Sequence, residues 1–129
     1  MQKAIITDGA PASRGFYSQG VHAGSFVFVS GQLPIDIDGS IVGSTAAEQT
    51  RQALANVEAV LRASGASLKD IVQVNVYVAG IDLWPEVNRA YEESMAHVPV
   101  PPARAVVPVK ELHYGALVEI QAIAYLSGS

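Results

Sequence analysis

The sequence predicts an α+β domain, a mixed sheet of six strands with two helices packed on one face, in the order β-β-β-α-β-α-β-β. Three observations predict it. "DIVQVNVYVAG" (70–80) alternates with period two, as a strand covered on one face does. Residues 45–65 instead carry apolar side chains at helical spacing behind a capping signature. Proline and glycine clusters are short and fall between the periodic stretches, where turns belong, and no linker, repeat or low-complexity segment interrupts them. With 129 residues the chain reads as one domain, 1–129.

The elements follow in order. "KAIIT" (3–7) can form a short strand, and Tyr17–His22 and Phe26–Ser30 two more, joined by a turn at Ala23-Gly24. "DIDGS" (36–40) is a turn. Thr45-Ala-Ala-Glu48 fits a capping box, in which threonine and glutamate satisfy each other's backbone donors. Ala53, Leu54, Val57, Val60, Leu61 and Ser64 make the first helix's stripe, and Gly65 can end it in the left-handed region. A second helix begins at Asp82, tolerates Pro85 in its first turn, and buries Val87, Ala90, Tyr91 and Ser94. "ARAVVPV" (103–109) and "LVEIQAIAYL" (117–126) are the last strands.

Parity divides the late strands into two faces. Val72, Val74, Val76 and Val78, with Ala105, Val107 and Val109, and Val118, Ile120, Ala122 and Ala124, should carry the helices. Gln73, Asn75 and Tyr77, with Arg104, Val106 and Pro108, and Leu117, Glu119, Gln121, Ile123 and Tyr125, should face the other way. That second face mixes amides, tyrosines and aliphatics with few charges, a composition that suits an interface between subunits.

Composition excludes several classes of function. Half of the residues are hydrophobic and few are charged, which argues against disorder. With no cysteine there is no disulfide, thiolate nucleophile or iron–sulfur cluster. The three histidines, His22, His97 and His113, show no metal-ligand spacing. No nucleotide-binding glycine motif occurs, so no cofactor is expected. The net charge of −4, without a basic stripe, disfavours nucleic acid. No apolar run could span a membrane, and the first residues lack a signal-peptide pattern, so a cytoplasmic location is expected.

Arg104 is the candidate that stands out, as the single charge in "VPVPPARAVVPV" (98–109). Three readings are open: a solvated strand edge, a structural ion pair with Glu119, or a guanidinium that waits for a ligand carboxylate, whose two oxygens its planar fork matches. Glu119 is expected on the same sheet face and can orient or deprotonate a water. Tyr17 in "GFYSQG" can offer a hydroxyl to a ligand. In "VSGQLP", Ser30 lies outside any nucleophile elbow, and Gly31 permits close approach of backbone.

Taken together, "GFYSQG", "FVSGQLPID", "EQTRQALANVEAVLRASGASLKDIVQVNVYVAGIDLWPEVNRAYEE", "PPARAVVPV" and "VEIQAIA" resemble the RidA/YjgF family of imine deaminases, from about Ile6 to Leu126. The resemblance implies a chorismate-mutase-like fold and a homotrimer with ligand clefts between neighbouring subunits. It also implies a cofactor-independent activity that hydrolyses reactive 2-imino acids, formed from 2-aminoacrylate and related enamines, to 2-keto acids and ammonia. On this resemblance Arg104 binds the substrate carboxylate and Glu119 positions the water. Tyr17, Ser30, Gly31 and Asn88 complete the site, and Val106 offers its backbone. Phe16 stands where many members have proline, and Val106 where many have cysteine. A non-catalytic module that senses small carboxylates through the same cleft is the alternative reading. A ribonuclease role fits the acidic balance poorly.

Overall fold

The computed structural model describes residues 1–127; the last two residues of the expected domain lie outside them. Six strands form one sheet: β1 (Lys3–Ile5), β2 (Gly20–Ala23), β3 (Phe26–Gln32), β4 (Ile71–Val78), β5 (Ala103–Pro108) and β6 (Val118–Tyr125). Their order across the sheet is β1-β2-β3-β6-β4-β5, with only β4–β5 parallel. Helices α1 (Ala46–Ala63) and α2 (Trp84–Met95) pack side by side, and α1 lies against β3 and β6. The expected class, element order and six-stranded mixed sheet are observed.

Local chemistry sets the ends of α1. Thr45 is its N-cap: the Thr45 hydroxyl accepts from the Glu48 N–H, and the Glu48 carboxylate accepts from the Thr45 N–H, each at 3.1 Å. At the other end Gly65 turns to φ 89°, while the Ala66 and Gly65 N–H groups donate to the Leu61 and Arg62 carbonyls. This is the double closure that glycine permits at a helix C-terminus. Leu54, Val57, Val60 and Leu61 are buried against Val27, Val74, Val76, Val78, Val118 and Ile120. Each such side chain, fully buried, contributes about 1.5–3 kcal/mol. The second helix starts two residues later than expected, because Ile81–Leu83 forms a short 3-10 turn first.

Two bulges shape the sheet. Between Val29 and Gln32, β3 carries one residue more than β6 opposite it, so Ser30-Gly31 bends out of the ladder. Between Ile71 and Gln73 the same happens in β4. Ile71 therefore turns to the helices, and Val72, expected there, is 44 % exposed.

The larger correction concerns β5. Arg104, Val106 and Pro108 pair with Val74, Val76 and Val78, and residues paired across a ladder share a face. Arg104 and Val106 therefore lie on the helix face, and Val106 packs against the core. Ala105 and Val107, expected under the helices, are exposed on the opposite face with Asn75 and Tyr77. Strand parity separates two faces but does not say which is which; the register with β4 decides it.

Candidate functional site

Two pockets hold most of the candidate residues, and they share no lining residue. The first has a volume of about 470 Å³ and is bounded by Arg14, Tyr17, Ser30, Gly31, His113 and Glu119, among others. Its floor is the β3 bulge. The loop before β2 lies on that bulge, because the Ser30 hydroxyl donates to the Ser18 carbonyl at 2.6 Å and the Ser30 N–H to the Gln19 carbonyl at 3.0 Å. Buried Gln19 ties the loop to the N-terminal segment. Its amide donates to the carbonyls of Thr7, Ala10 and Pro11, and its oxygen accepts from the Thr7 N–H. Ser30's hydroxyl is thus spent on positioning this loop. Tyr17 lies in the loop, not in a strand; its hydroxyl accepts from the Arg14 N–H at 3.3 Å and keeps its own proton to donate.

Glu119 comes from β6, opposite Tyr77 on the face away from the helices. Its carboxylate lies directly over Gly31: a Cβ added there would stand 3.0 Å from Glu119 Cδ and closer still to an oxygen. Burial pushes the Glu119 carboxyl above the ordinary carboxylate range, and the nearby His113 charge opposes that rise. Beside it, Tyr114 adopts φ 61°. A non-glycine residue there is held against a steric cost of about 1–2 kcal/mol, and such strain clusters at functional sites.

The second pocket, about 480 Å³, is bounded by Tyr91, Glu92, Met95, Val98, Pro101-Pro102 and Arg104. Arg104 Nη1 donates to Asn88 Oδ1 at 3.0 Å, and Asn88 Nδ2 donates to Glu92 Oε1 at 2.9 Å. The guanidinium carbon lies 4.7 Å from the Trp84 ring centroid and 5.0 Å from that of Tyr91. Arg104 makes no ion pair among the described residues, so the Arg104–Glu119 pair is not present within the chain. Tyr91 is 6 % exposed, yet its hydroxyl has no hydrogen-bond partner. Burial pushes that phenol's pKa up, and the Arg104 charge opposes this.

The structure therefore groups Tyr17, Ser30, Gly31 and Glu119, and separately Arg104 and Asn88, while Val106 lies in the terminal strand of the sheet. The sequence signals above do not point to Arg14, His113 and Tyr114 in the first pocket, nor to Trp84, whose ring stacks on Arg104. Trp84 carried a legible signal, since it stands four residues before Asn88 and seven before Tyr91 on one helix. Among the described residues, no cluster of three acidic or histidine side chains could hold a metal ion.

The chain's likeness to known proteins now bears on these pockets. The family model described as Endoribonuclease L-PSP matches residues 7–126. The chain belongs to the RidA/YjgF family. Among its relatives, a RutC family protein of Pyrococcus horikoshii is 42% identical over 97% of this chain and 98% of its own length. The 2-iminobutanoate/2-iminopropanoate deaminase of Salmonella typhimurium is 41% identical over 96% of this chain and 98% of its own. The crystal structure of the Escherichia coli YjgF gene product superposes with a TM-score of 0.91 at 38% identity, covering 95% of this chain and 98% of that one. Escherichia coli TdcF with bound serine gives 0.92 at 35% identity, covering 97% and 99%. RidA/YjgF membership thus accounts for the sheet order and the helix pair over nearly the whole chain.

Proposed function

We propose that this RidA/YjgF protein is a cofactor-independent imine deaminase. Its substrates are small 2-imino acids such as 2-iminobutanoate and 2-iminopropanoate, hydrolysed to 2-keto acids and ammonia. The observation that carries the reading is Arg104, a guanidinium beside an open pocket with no carboxylate partner among the described residues. The deaminase name of relatives near 40% identity and the serine bound by TdcF support a small carboxylate as its ligand.

Arg104 and Glu119 lie on opposite faces of one sheet, in different pockets. A site that uses both is formed between chains, with Arg104 from one and Glu119 from its neighbour in a homotrimer. The half-exposed aromatics Phe26, Phe28 and Tyr125 on the face away from the helices support such an assembly.

In this cleft the guanidinium grips the substrate carboxylate through two parallel hydrogen bonds. Water held by the Glu119 carboxylate attacks the imine carbon. Its proton passes to the carboxylate, and the imine nitrogen takes a proton from solvent as the carbon becomes tetrahedral. Collapse moves the hydroxyl proton to the nitrogen by way of solvent, forms the keto C=O bond and breaks the C–N bond, and the nitrogen leaves as ammonia. Imines hydrolyse in water unaided, so holding the two reactants in place supplies much of the acceleration. Tyr17, Ser30, Gly31 and the Val106 backbone shape the cleft around them.

An amino-acid oxidase that generates imino acids in the presence of semicarbazide tests the proposal. A deaminase lowers the semicarbazone signal. An unchanged signal, with 2-oxobutanoate still bound, would leave only a carboxylate-binding module.

A further inference from the structure

We propose that one face of α2, formed by Trp84, Asn88, Tyr91 and Glu92, is a holder that fixes the Arg104 guanidinium edge-outward for a carboxylate without pairing it directly to an acid, which makes Trp84 and Glu92 positioning residues. The inference rests on the carboxylate-clamp reading above and adds what orients the clamp.

The four residues stand at i, i+4, i+7 and i+8 of α2, so they share one side of the helix. Trp84 and Tyr91 are two turns apart, roughly 10 Å along the axis. The guanidinium carbon is 4.7 Å from one ring centroid and 5.0 Å from the other, so both rings are within cation–π reach of it. Aromatic faces attract a guanidinium without accepting its in-plane hydrogen bonds, which leaves its edges free for a ligand.

Asn88 supplies the one in-plane contact, from Arg104 Nη1. An asparagine amide can be turned either way, and only one orientation offers its oxygen to Arg104. Glu92 selects that orientation, because an ionised carboxylate only accepts and therefore takes the Asn88 NH₂ group at 2.9 Å. The acid is thus kept one residue away from the arginine. It fixes the geometry through a neutral amide, and the guanidinium makes no direct ion pair among the described residues. Tyr91 contributes its ring face; its hydroxyl, buried and unpaired, has no part in the grip.

Trp84 is the chain's only tryptophan, so the holder reports on itself. Titrating the full-length protein with 2-oxobutanoate should give a saturable change in tryptophan fluorescence. Trp84→Leu, followed by calorimetry, should weaken 2-oxobutanoate binding roughly three- to ten-fold and raise the imino-acid KM with it, while Trp84→Phe stays within about two-fold of wild type. Asn88→Asp keeps the shape but places a carboxylate on the guanidinium. It should weaken binding about ten-fold or more, even if the melting temperature rises. A merely structural asparagine would show no such loss. Exposed Glu92→Gln, which leaves folding undisturbed, should weaken binding by a smaller factor by freeing the Asn88 amide. Wild-type binding of 2-oxobutanoate with no loss in Trp84→Leu, Asn88→Asp or Glu92→Gln would overturn the holder and leave the clamp standing. Wild-type protein that neither binds 2-oxobutanoate nor consumes imino acids would overturn the clamp and the holder together.

Discussion

Gly31 and Glu119 are packed so closely that a single methyl group decides where the carboxylate points. Gly31→Ala meets the far end of a flexible side chain, which can swing away, so the fold should survive and the melting temperature should change little. The carboxylate would leave its place over the bulge, and imino-acid turnover should fall about ten-fold or more, since misplacing a catalytic group by an ångström costs up to 10². Glu119→Gln separates chemistry from stability further. Loss of the base should cost about 10²- to 10⁴-fold in turnover while 2-oxobutanoate binding persists. The effect on stability has the opposite sign. The folded-state pKa of Glu119 is raised by burial, so its favourable contribution is complete below the unfolded pKa and is lost as pH rises through the folded one. Glutamine carries no charge to bury, so Glu119→Gln should melt higher than wild type near pH 7.5 and lose that advantage near about pH 4, as scanning calorimetry at the two pH values would show. A variant less stable at neutral pH would mean that the carboxylate is structural.

At the scale of elements, legibility followed the range of the interactions that define each one. The α1 helix was readable end to end because its signals are local: a capping box four residues long, a stripe at helical spacing and a terminal glycine. Thr45→Ala removes the cap and should cost about 1 kcal/mol, measured by urea denaturation, without touching turnover. Periodicity marks β5 as a strand but does not say which of its faces meets the helices. Which side Arg104 takes is set by its pairing with Val74, a contact between segments thirty residues apart that periodicity within β5 does not contain. The bulge at Val72 was equally invisible, since one extra residue in β4 inverts a face without changing the alternation on either side of it. Ser30 and Gly31 were found as candidates, but the reason they matter is tertiary. The serine holds the Tyr17 loop, and the glycine makes room for Glu119.

For the whole molecule, the separation of Arg104 and Glu119 into two pockets makes a sharper test of assembly than mass alone. Native mass spectrometry should give about three times the 13.5 kDa chain mass. That result would be compatible with three independent sites as well as three shared ones. Complementation distinguishes them. Arg104→Lys loses the planar fork that a carboxylate needs, and Glu119→Gln loses the base, so each homotrimer should be nearly inactive. On the proposed arrangement, each cleft of a cyclic trimer takes its arginine from one chain and its glutamate from the next. Chains of the two kinds, unfolded together at equal concentration and refolded, would then build clefts with both natural residues whenever a Glu119→Gln chain supplies the arginine and an Arg104→Lys chain supplies the glutamate. Random assembly around a ring makes that about a quarter of all clefts, so activity should return to about a quarter of wild type. Sites contained within single chains would gain nothing, because every chain in the mixture lacks one of the two groups. Restored turnover in the mixed trimer requires the two faces of this sheet to meet across a subunit boundary. A mixture as inactive as its parents, in trimers shown by mass to contain both variants, would place the reaction inside one chain.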